Sequence, residues 1–397
     1  MSKTNEDYFD SLPFGRLAVI PLQSCADFCR KVDEYLVEWR AQRSKELHHG
    51  IVFQGYTRDS YLISAECPRF GSGEAKGQLN ESVRGDDIYI LVDVTNYSCT
   101  YEMSGGIVNH MSPDDHYQDL KRIIAACKPN ARRVNVIMPF LYESRQHRKS
   151  GRESLDCAMA LQELVDMGVA NIITFDAHDP RVANAIPLHD FESVSPAHQI
   201  IKALLTNCTD ITLDSDHLMV VSPDEGGKKK AVYYANNLGV DMGMFYKRRD
   251  YSRIVDGANP IVAHEFLGSD VEGKDIIVID DMIASGSSMF EVCESLKKRG
   301  ARNIYLCATF GLFTKGMKKF DEFYEKGMFT KVITTNLVYQ TEELLSRDYY
   351  ISCDMTKYVA MLIDTLNHDS AVSGLLEPSE RIQKNIKKYR ATGTIVD

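Results

Sequence analysis

Short runs of valine, isoleucine and leucine recur along the chain at 88–92, 134–138, 172–175, 218–221, 276–279, 304–308 and 332–336. Their nearly continuous apolar character is that of strands buried on both faces of a parallel sheet; half-exposed strands would alternate with polar residues. Segments of helical period lie between them. One spans 154–167, where Leu155, Met159, Gln162 and Val165 share a face and Gly168 is placed to take the left-handed position after the last turn. This alternation predicts the α/β class, with mainly parallel sheets flanked by crossover helices.

A chain of 397 residues has room for two cores. The stretch 194–210 follows the third of these strands and precedes a second strand-helix series, so it predicts the boundary between an N-terminal domain, 1–195, and a second, 196–340. Helices and a tail fill 341–397 and are expected to pack back on the N-terminal domain. Beyond Gly374 the five basic residues have irregular spacing and predict a solvated terminal helix. Gly257, Pro260 and Gly268 interrupt 249–270 and predict a long mobile loop.

Composition narrows the function. With 44% hydrophobic and 26% charged residues the chain is globular rather than disordered. The first ten residues are polar and acidic, and no apolar run approaches the ~20 residues needed to cross a bilayer, so a cytoplasmic protein is expected, with no membrane partner. Ten scattered cysteines, several inside apolar stretches, and a Cys25/Cys29 pair without zinc-finger spacing fit reduced thiols. A net charge of −10 argues against a nucleic-acid partner, which would need a broad basic surface. Phosphate chemistry is thereby confined to local basic pockets: 145–152, 228–230, 247–249 and 381–390.

The densest chemistry lies in Ile276-Ile277-Val278-Ile279-Asp280-Asp281-Met282-Ile283-Ala284-Ser285-Gly286-Ser287-Ser288. Here a buried strand ends in two carboxylates and passes into a Ser/Gly loop that opens a helix. Asp280 and Asp281 can accept hydrogen bonds from sugar hydroxyls, while Ser285, Gly286, Ser287 and Ser288 offer hydroxyls, amides and a helix N-terminus to a phosphate. An acidic turn followed by an ordinary N-cap is the plainer alternative.

Weaker signals surround this one. In Ser222-Pro223-Asp224-Glu225-Gly226-Gly227, ahead of Lys228-Lys229-Lys230, the glycines let the backbone approach an anion and Asp224 can hold Mg²⁺ beside it; a tight strand-helix turn would look the same. Asp176 and His178 follow a strand, share a face by its two-residue period, and suit a metal or polyphosphate, or else His178 is structural. Arg145-Gln146-His147-Arg148-Lys149 offers guanidinium forks and a planar amide to a nucleotide, against a solvated basic loop. Lys247-Arg248-Arg249, at the start of the expected loop, places cations where they can neutralise charge in phosphoryl transfer, against plain surface charge. Walker-A, kinase glycine-loop and HExxH patterns are absent.

These blocks, with Glu81-Ser82-Val83-Arg84-Gly85 and in this order, resemble the ribose-phosphate pyrophosphokinase family, also called phosphoribosyl pyrophosphate synthetase, over about residues 69–336. The resemblance implies two tandem phosphoribosyltransferase-like domains. It implies transfer of the β,γ-pyrophosphoryl group of Mg²⁺-ATP to the 1-hydroxyl of ribose 5-phosphate, giving AMP and phosphoribosyl pyrophosphate. By it, Asp280 and Asp281 hold the ribose hydroxyls, Ser285, Gly286, Ser287 and Ser288 the 5-phosphate, and Asp224, Glu225, Gly226 and Gly227 the pyrophosphate. Arg145, Gln146 and His178 look like ATP contacts, His178, Asp224 and Asp176 like metal ligands, and Lys247 and Arg249 like catalytic cations. Phe70 and Glu74 match a segment that reaches the adenine of a neighbouring subunit, which implies a dimer-based homo-oligomer, up to a hexamer.

Departures from the family pattern are Ser72 and His147, where an acid or amide is usual, Ala284 in place of an acid, and a shorter stretch after His178. Extra residues at 37–68 and a C-terminal extension also stand outside it. Two rivals are a non-catalytic regulatory paralogue, which would show erosion of the loop cations or paired aspartates, and a phosphoribosyltransferase, which lacks the Arg145-Gln146 and Lys247-Arg249 blocks.

Overall fold

A computed structural model describes residues 12–46, 55–249 and 261–395. It divides into two compact units: one of Met1–Ser195, Leu337–Tyr339 and Asp354–Glu377, the other of Pro196–Asn336, Gln340–Cys353 and Pro378–Asp397. No helix among the described residues is long and apolar enough to cross a membrane. All ten cysteines are free thiols.

In the first unit, five strands form a wholly parallel sheet in the order Arg16–Pro21, Asp86–Leu91, Arg133–Ile137, Asn171–Phe175, Asp190–Val194. Ile88, Ile90, Val134, Val136 and Ile172 pack with Leu120, Ile123, Leu161 and Leu164 of the flanking helices into one core. The helix Pro113–Cys127 starts on a capping box, with Ser112 and Asp115 bonding each other's backbone N–H groups. The helix expected at 154–167 is Asp156–Asp166, with Gly168 left-handed at φ 80°. Its buried face, however, is Cys157, Ala160, Leu161 and Leu164, while Met159 lies 58% exposed. The small residues Cys157 and Ala160 permit the closer approach to the sheet.

The extra residues near 37–68 are explained by this unit's own packing. The helix Ala26–Glu46 carries Arg40, fully buried, against the helix Thr356–Asn367: Nε donates to Asp364 Oδ1 at 3.1 Å and an Nη donates to Asn367 Oδ1 at 2.6 Å. Its guanidinium lies over the rings of Tyr56 and Tyr61, 4.9 and 5.1 Å from their centres. Arg43 donates to the other oxygen of Asp364 at 2.7 Å. A buried cation is tolerated only with partners of this kind, so the N-terminal insertion and the C-terminal helix depend on one another.

The second unit holds a seven-stranded sheet in the order Ile261–Leu267, Asp241–Arg249, Leu218–Ser222, Asp275–Ile283, Ile304–Gly311, Lys331–Thr335, Tyr350–Cys353. Every neighbouring pair is parallel except Asp241–Arg249 with Ile261–Leu267. Of the stretch expected as a mobile loop at 249–270, residues 249 and 261–267 are strand; residues 250–260 lie outside the described residues. The strand is fixed by Phe266, whose ring lies where a side chain on Gly243 would stand, 2.6 Å from a Cβ built there, and packs, tilted by 53°, with its centre 5.2 Å from that of Phe245. Segment 341–397 is shared between the units. Its last helix, Ser379–Thr392, is not solvated throughout: Ile382, Ile386 and Tyr389 are buried, and Tyr389 donates to the Cys208 carbonyl at 3.0 Å.

Candidate active site

Strand order in the second unit reverses between Leu218–Ser222 and Asp275–Ile283, and a crevice opens at the carboxyl ends of strands where such a reversal occurs. Pairing between these two strands ends at Val221 with Val278, whereas Asp275–Ile283 stays paired on its other side as far as Ile283 with Gly311. The strand thus runs four residues past the expected Ile279, and Asp280 and Asp281 lie within it, beyond the end of the Leu218–Ser222 ladder.

Both aspartates are half-buried, and the Asp281 N–H donates to Asp280 Oδ1 at 2.9 Å. Burial and the charge of Asp281 push the Asp280 carboxyl up to about 8, with Asp224 adding to the rise and Lys230 opposing it. Such a pair shares a proton when empty and is better satisfied by the donors of a sugar diol. Between about 4, the ordinary carboxylate value, and about 8 the folded protein holds a proton that the unfolded chain releases, so this pair lowers stability as pH rises through that window. Asp281→Asn should therefore make the free protein more stable at pH 8 by about 0.5–2 kcal/mol, with the gain fading toward pH 4, while weakening sugar-phosphate binding. Urea unfolding at several pH values checks this; a variant less stable at pH 8 contradicts it.

The loop after Leu218–Ser222 is wound tightly around Asp224. Asp224 Oδ1 accepts from the N–H groups of Gly226 at 2.8 Å and Gly227 at 3.2 Å, and Ser222 Oγ donates to the Asp224 carbonyl at 2.6 Å. A side chain on Gly227 would meet Ser222 Oγ at 2.7 Å and the Ile279 carbonyl at 3.4 Å, so glycine is required by the close approach to the neighbouring strand. The two amides already hold an anion, the chain's own carboxylate. A pyrophosphate would take those amides at the N-terminus of the helix Lys228–Leu238 and release Asp224 toward a cation. Glu225 is exposed on the same loop.

Beyond Ile283 the backbone of Ala284 is tied down by the Thr314 N–H, which donates to its carbonyl at 2.9 Å. Gly286 is left-handed, φ 80°, at the N-cap of the helix Ser287–Lys298, and no acidic residue occupies that helix's first turn. The hydroxyls of Ser285 and Ser287 lie 3.0 Å apart, and Ser288 follows on the first turn. The Ser287 N–H donates to Ser285 Oγ at 3.4 Å, and a helix N-terminus with hydroxyls alongside can cradle a phosphate.

In the first unit the candidate residues sit on loops following two adjacent strands. Arg145, Gln146 and His147 come after Arg133–Ile137; Asp176 and His178 come after Asn171–Phe175. Gln146 is held by its own loop, donating to the carbonyls of Arg148 at 3.2 Å and Ser154 at 2.9 Å, and Arg145 is exposed. The strand ends at Phe175 and Asp176 turns left-handed, φ 46°, so the two-residue period that would align Asp176 with His178 stops there. The loops meet instead through His147, whose ring centre is 5.3 Å from that of His178 and whose Nε2 is 3.6 Å from Asp179. Asp179, which follows His178 in the same run, is legible as a neighbouring carboxylate, but its approach to His147 is not.

Phe70 and Glu74 lie on an exposed turn closed by the Phe70 N–H donating to the Glu74 carbonyl at 2.7 Å, with Ser72 Oγ donating to the Glu74 carboxylate at 2.8 Å. Phe70 is 55% exposed. Lys247 and Arg249 are placed by backbone alone, on the strand Asp241–Arg249 opposite His264 and Ile261.

Comparison with known proteins bears on this arrangement. Residues 17–168 match the model for the N-terminal domain of ribose phosphate pyrophosphokinase, and residues 191–347 match that for the phosphoribosyl transferase domain. The chain belongs to the ribose-phosphate pyrophosphokinase family. Ribose-phosphate pyrophosphokinase of Vibrio parahaemolyticus is 26% identical over 79% of this chain and 91% of its own length. That of Synechococcus elongatus is 28% identical over 69% of this chain and 75% of its own. The fold is that of phosphoribosylpyrophosphate synthetase from Mycobacterium smegmatis, with a TM-score of 0.68 at 21% identity over 89% of this chain and all of the other. In family terms, each unit is a phosphoribosyltransferase-like domain; the first match covers three of the five strands of the first sheet and the second match six of the seven strands of the second.

Proposed function

We propose that the chain is a ribose-phosphate diphosphokinase of the cytoplasm: it transfers the β,γ-pyrophosphoryl group of ATP to the 1-hydroxyl of ribose 5-phosphate, releasing AMP, phosphoribosyl pyrophosphate and one proton. The observation that carries this reading is the pairing of two anion cradles around one carboxylate pair. The amides of Gly226 and Gly227 lie beside the strand that carries Asp280 and Asp281, and the Ser285–Ser288 turn follows directly after it. Asp280 and Asp281 hold the sugar diol, Ser285, Gly286, Ser287 and Ser288 hold its 5-phosphate, and Gly226 and Gly227 receive the pyrophosphoryl group. Arg145, Gln146 and His178 take the nucleotide. Lys247 and Arg249 neutralise charge on the group in flight.

Mg²⁺ fits the donor set, since it is bound through one or two carboxylates plus substrate phosphates and keeps several waters. Asp224 would offer an oxygen once an anion displaced it from the loop amides, and His178 and Asp176 are the candidate holders in the first unit. When bound, the ion draws charge from the triphosphate and so lets the sugar hydroxyl approach the β-phosphorus.

A regulatory paralogue would lose the carboxylate pair or the loop cations, and both are kept. A phosphoribosyltransferase does not account for the match over 17–168. AMP formed from ATP only when ribose 5-phosphate is present, and lost in excess chelator, is the expected result; ATP left intact under every divalent metal supports the regulatory reading instead.

Phe70 and Glu74 complete the nucleotide site of a neighbouring copy, so the active unit is a homo-oligomer. Mixing inactive Glu74→Ala and Arg145→Ala proteins should restore part of the activity, because some sites then receive an intact residue from each partner. Verified mixed oligomers with no recovery would mean that each site is built from one chain.

A further inference from the structure

We propose that His147 is a second imidazole ligand of the divalent metal, beside His178, so that this chain prefers softer divalent ions than an oxygen-only site would. The proposal rests on the function above only in placing a metal at His178. The loops after Arg133–Ile137 and Asn171–Phe175 set the two rings 5.3 Å apart, centre to centre, tilted by 58°. A metal taking one nitrogen from each ring at ~2.1 Å would lie about 3.2 Å from each ring centre and hold the centres roughly 5.2 Å apart at a tetrahedral angle. The observed centre-to-centre spacing of 5.3 Å matches that separation.

The two nitrogens of His147 face different surroundings. Nε2 is 3.6 Å from Asp179 Oδ2, and Asp179 is an anion paired with Arg181. A carboxylate on that side favours the tautomer with hydrogen on Nε2, which leaves the Nδ1 lone pair unprotonated. Nδ1 is buried and has no hydrogen-bond partner. A carboxylate near one ring nitrogen, here 3.6 Å away, and an unpartnered nitrogen on the other side suit a metal-bound histidine, whose second nitrogen turns to a carboxylate. Among the described residues no three histidine, cysteine or acidic side chains converge on one point. The pair would therefore give two ligands, and the proposed carboxylate contacts, water or phosphate oxygens the rest, which is an open site.

The consequence is selectivity. Mg²⁺ prefers oxygen and gains little from a second imidazole, whereas Mn²⁺, Co²⁺ and Zn²⁺ gain from it in rising measure. The acid or amide that the family resemblance places at position 147 would keep the site hard.

The test uses the full-length protein without ATP or ribose 5-phosphate, so its outcome is independent of the proposed reaction. Pulsed EPR of the Mn²⁺-loaded protein should show coupling to two imidazole nitrogens in the native chain and to one in His147→Asp. Calorimetric titration with Co²⁺ should show binding about tenfold or more weaker in His147→Asp and His147→Gln, with Mg²⁺ affinity unchanged or improved in His147→Asp. One imidazole nitrogen or none in the native protein overturns the proposal, even where a variant fails to fold. Co²⁺ affinity untouched by both substitutions overturns it as well. Two nitrogens in a protein that makes no AMP would count against the diphosphokinase reading and leave the metal assignment standing.

Discussion

Lys247→Ala should lower kcat by ~10²-fold or more while leaving the KM for ribose 5-phosphate nearly unchanged. The expectation follows from where charge develops. As the bond between the α- and β-phosphates breaks, negative charge gathers on AMP and on the transferred group, and an ammonium there gains more in the transition state than in the ground state. The sugar, by contrast, is assigned in the proposed reaction to Asp280, Asp281 and the turn of Ser285, Gly286, Ser287 and Ser288. The backbone of Lys247 is fixed in an antiparallel ladder opposite His264, with a register shift one residue on, between Arg248 and Arg249. A ladder of that kind sets the direction of the strand's last residues more firmly than a free loop would. Arg249→Ala should act in the same sense. Steady-state kinetics with each substrate varied separates the two effects, and near-normal turnover in Lys247→Ala removes the role assigned to this cation.

Gly286→Ala should be the most damaging small substitution in the sugar-phosphate turn. The backbone at Gly286 is left-handed, φ 80°, and a Cβ built there would lie 2.5 Å from Phe320 Cζ and 3.0 Å from Phe290 Cε2. Both rings are buried and pack against each other at 4.7 Å, so neither can yield without disturbing the core. Left-handed strain and overpacking together should cost about 2–4 kcal/mol. The turn would then open or the helix Ser287–Lys298 would shift, and either change pulls the serine hydroxyls off the phosphate. The KM for ribose 5-phosphate should rise at least ~10-fold, a loss of about 1.4 kcal/mol in binding. Denaturant unfolding and substrate titration read the two effects separately; an unshifted midpoint with an ordinary KM would contradict both.

The strands that composition revealed are interior ones. Ile88, Val134, Ile172, Val220, Ile277, Leu306 and Val332 each sit in a run apolar on both faces, because helices cover both sides of those strands. Asp190–Val194, Ile261–Leu267 and Tyr350–Cys353 escaped notice as sheet edges, where the burial pressure that writes a long apolar run is absent. Arg16–Pro21, also an edge, is absent from those runs although its Leu17, Ala18, Val19 and Ile20 are fully buried, and the interior strand Asp241–Arg249 is absent too, its run broken by Gly243 and ended by Lys247, Arg248 and Arg249.

The site shows the same division. Asp280 to Ser288 and Ser222 to Gly227 could be read because each is continuous in sequence and its geometry follows from one strand, one turn and one helix. Three features could not be read: the Asp224 carboxylate turned into the Gly226 and Gly227 amides, Gln146 held by its own loop, and His147 against His178. The first two are local choices among several rotamers. The third joins loops from two strands, and only the parallel register of Asn135 with Asn171 brings them side by side.

Phosphorus NMR of ATP incubated with ribose 5-phosphate, Mg²⁺ and the purified chain tests the central claim most directly. The account predicts that the monophosphate of AMP and the pyrophosphate on the sugar's first carbon grow in equal amounts as the triphosphate is consumed, with no ADP and no free pyrophosphate. Appearance of ADP, or an unchanged triphosphate with each divalent metal supplied in turn, would contradict it.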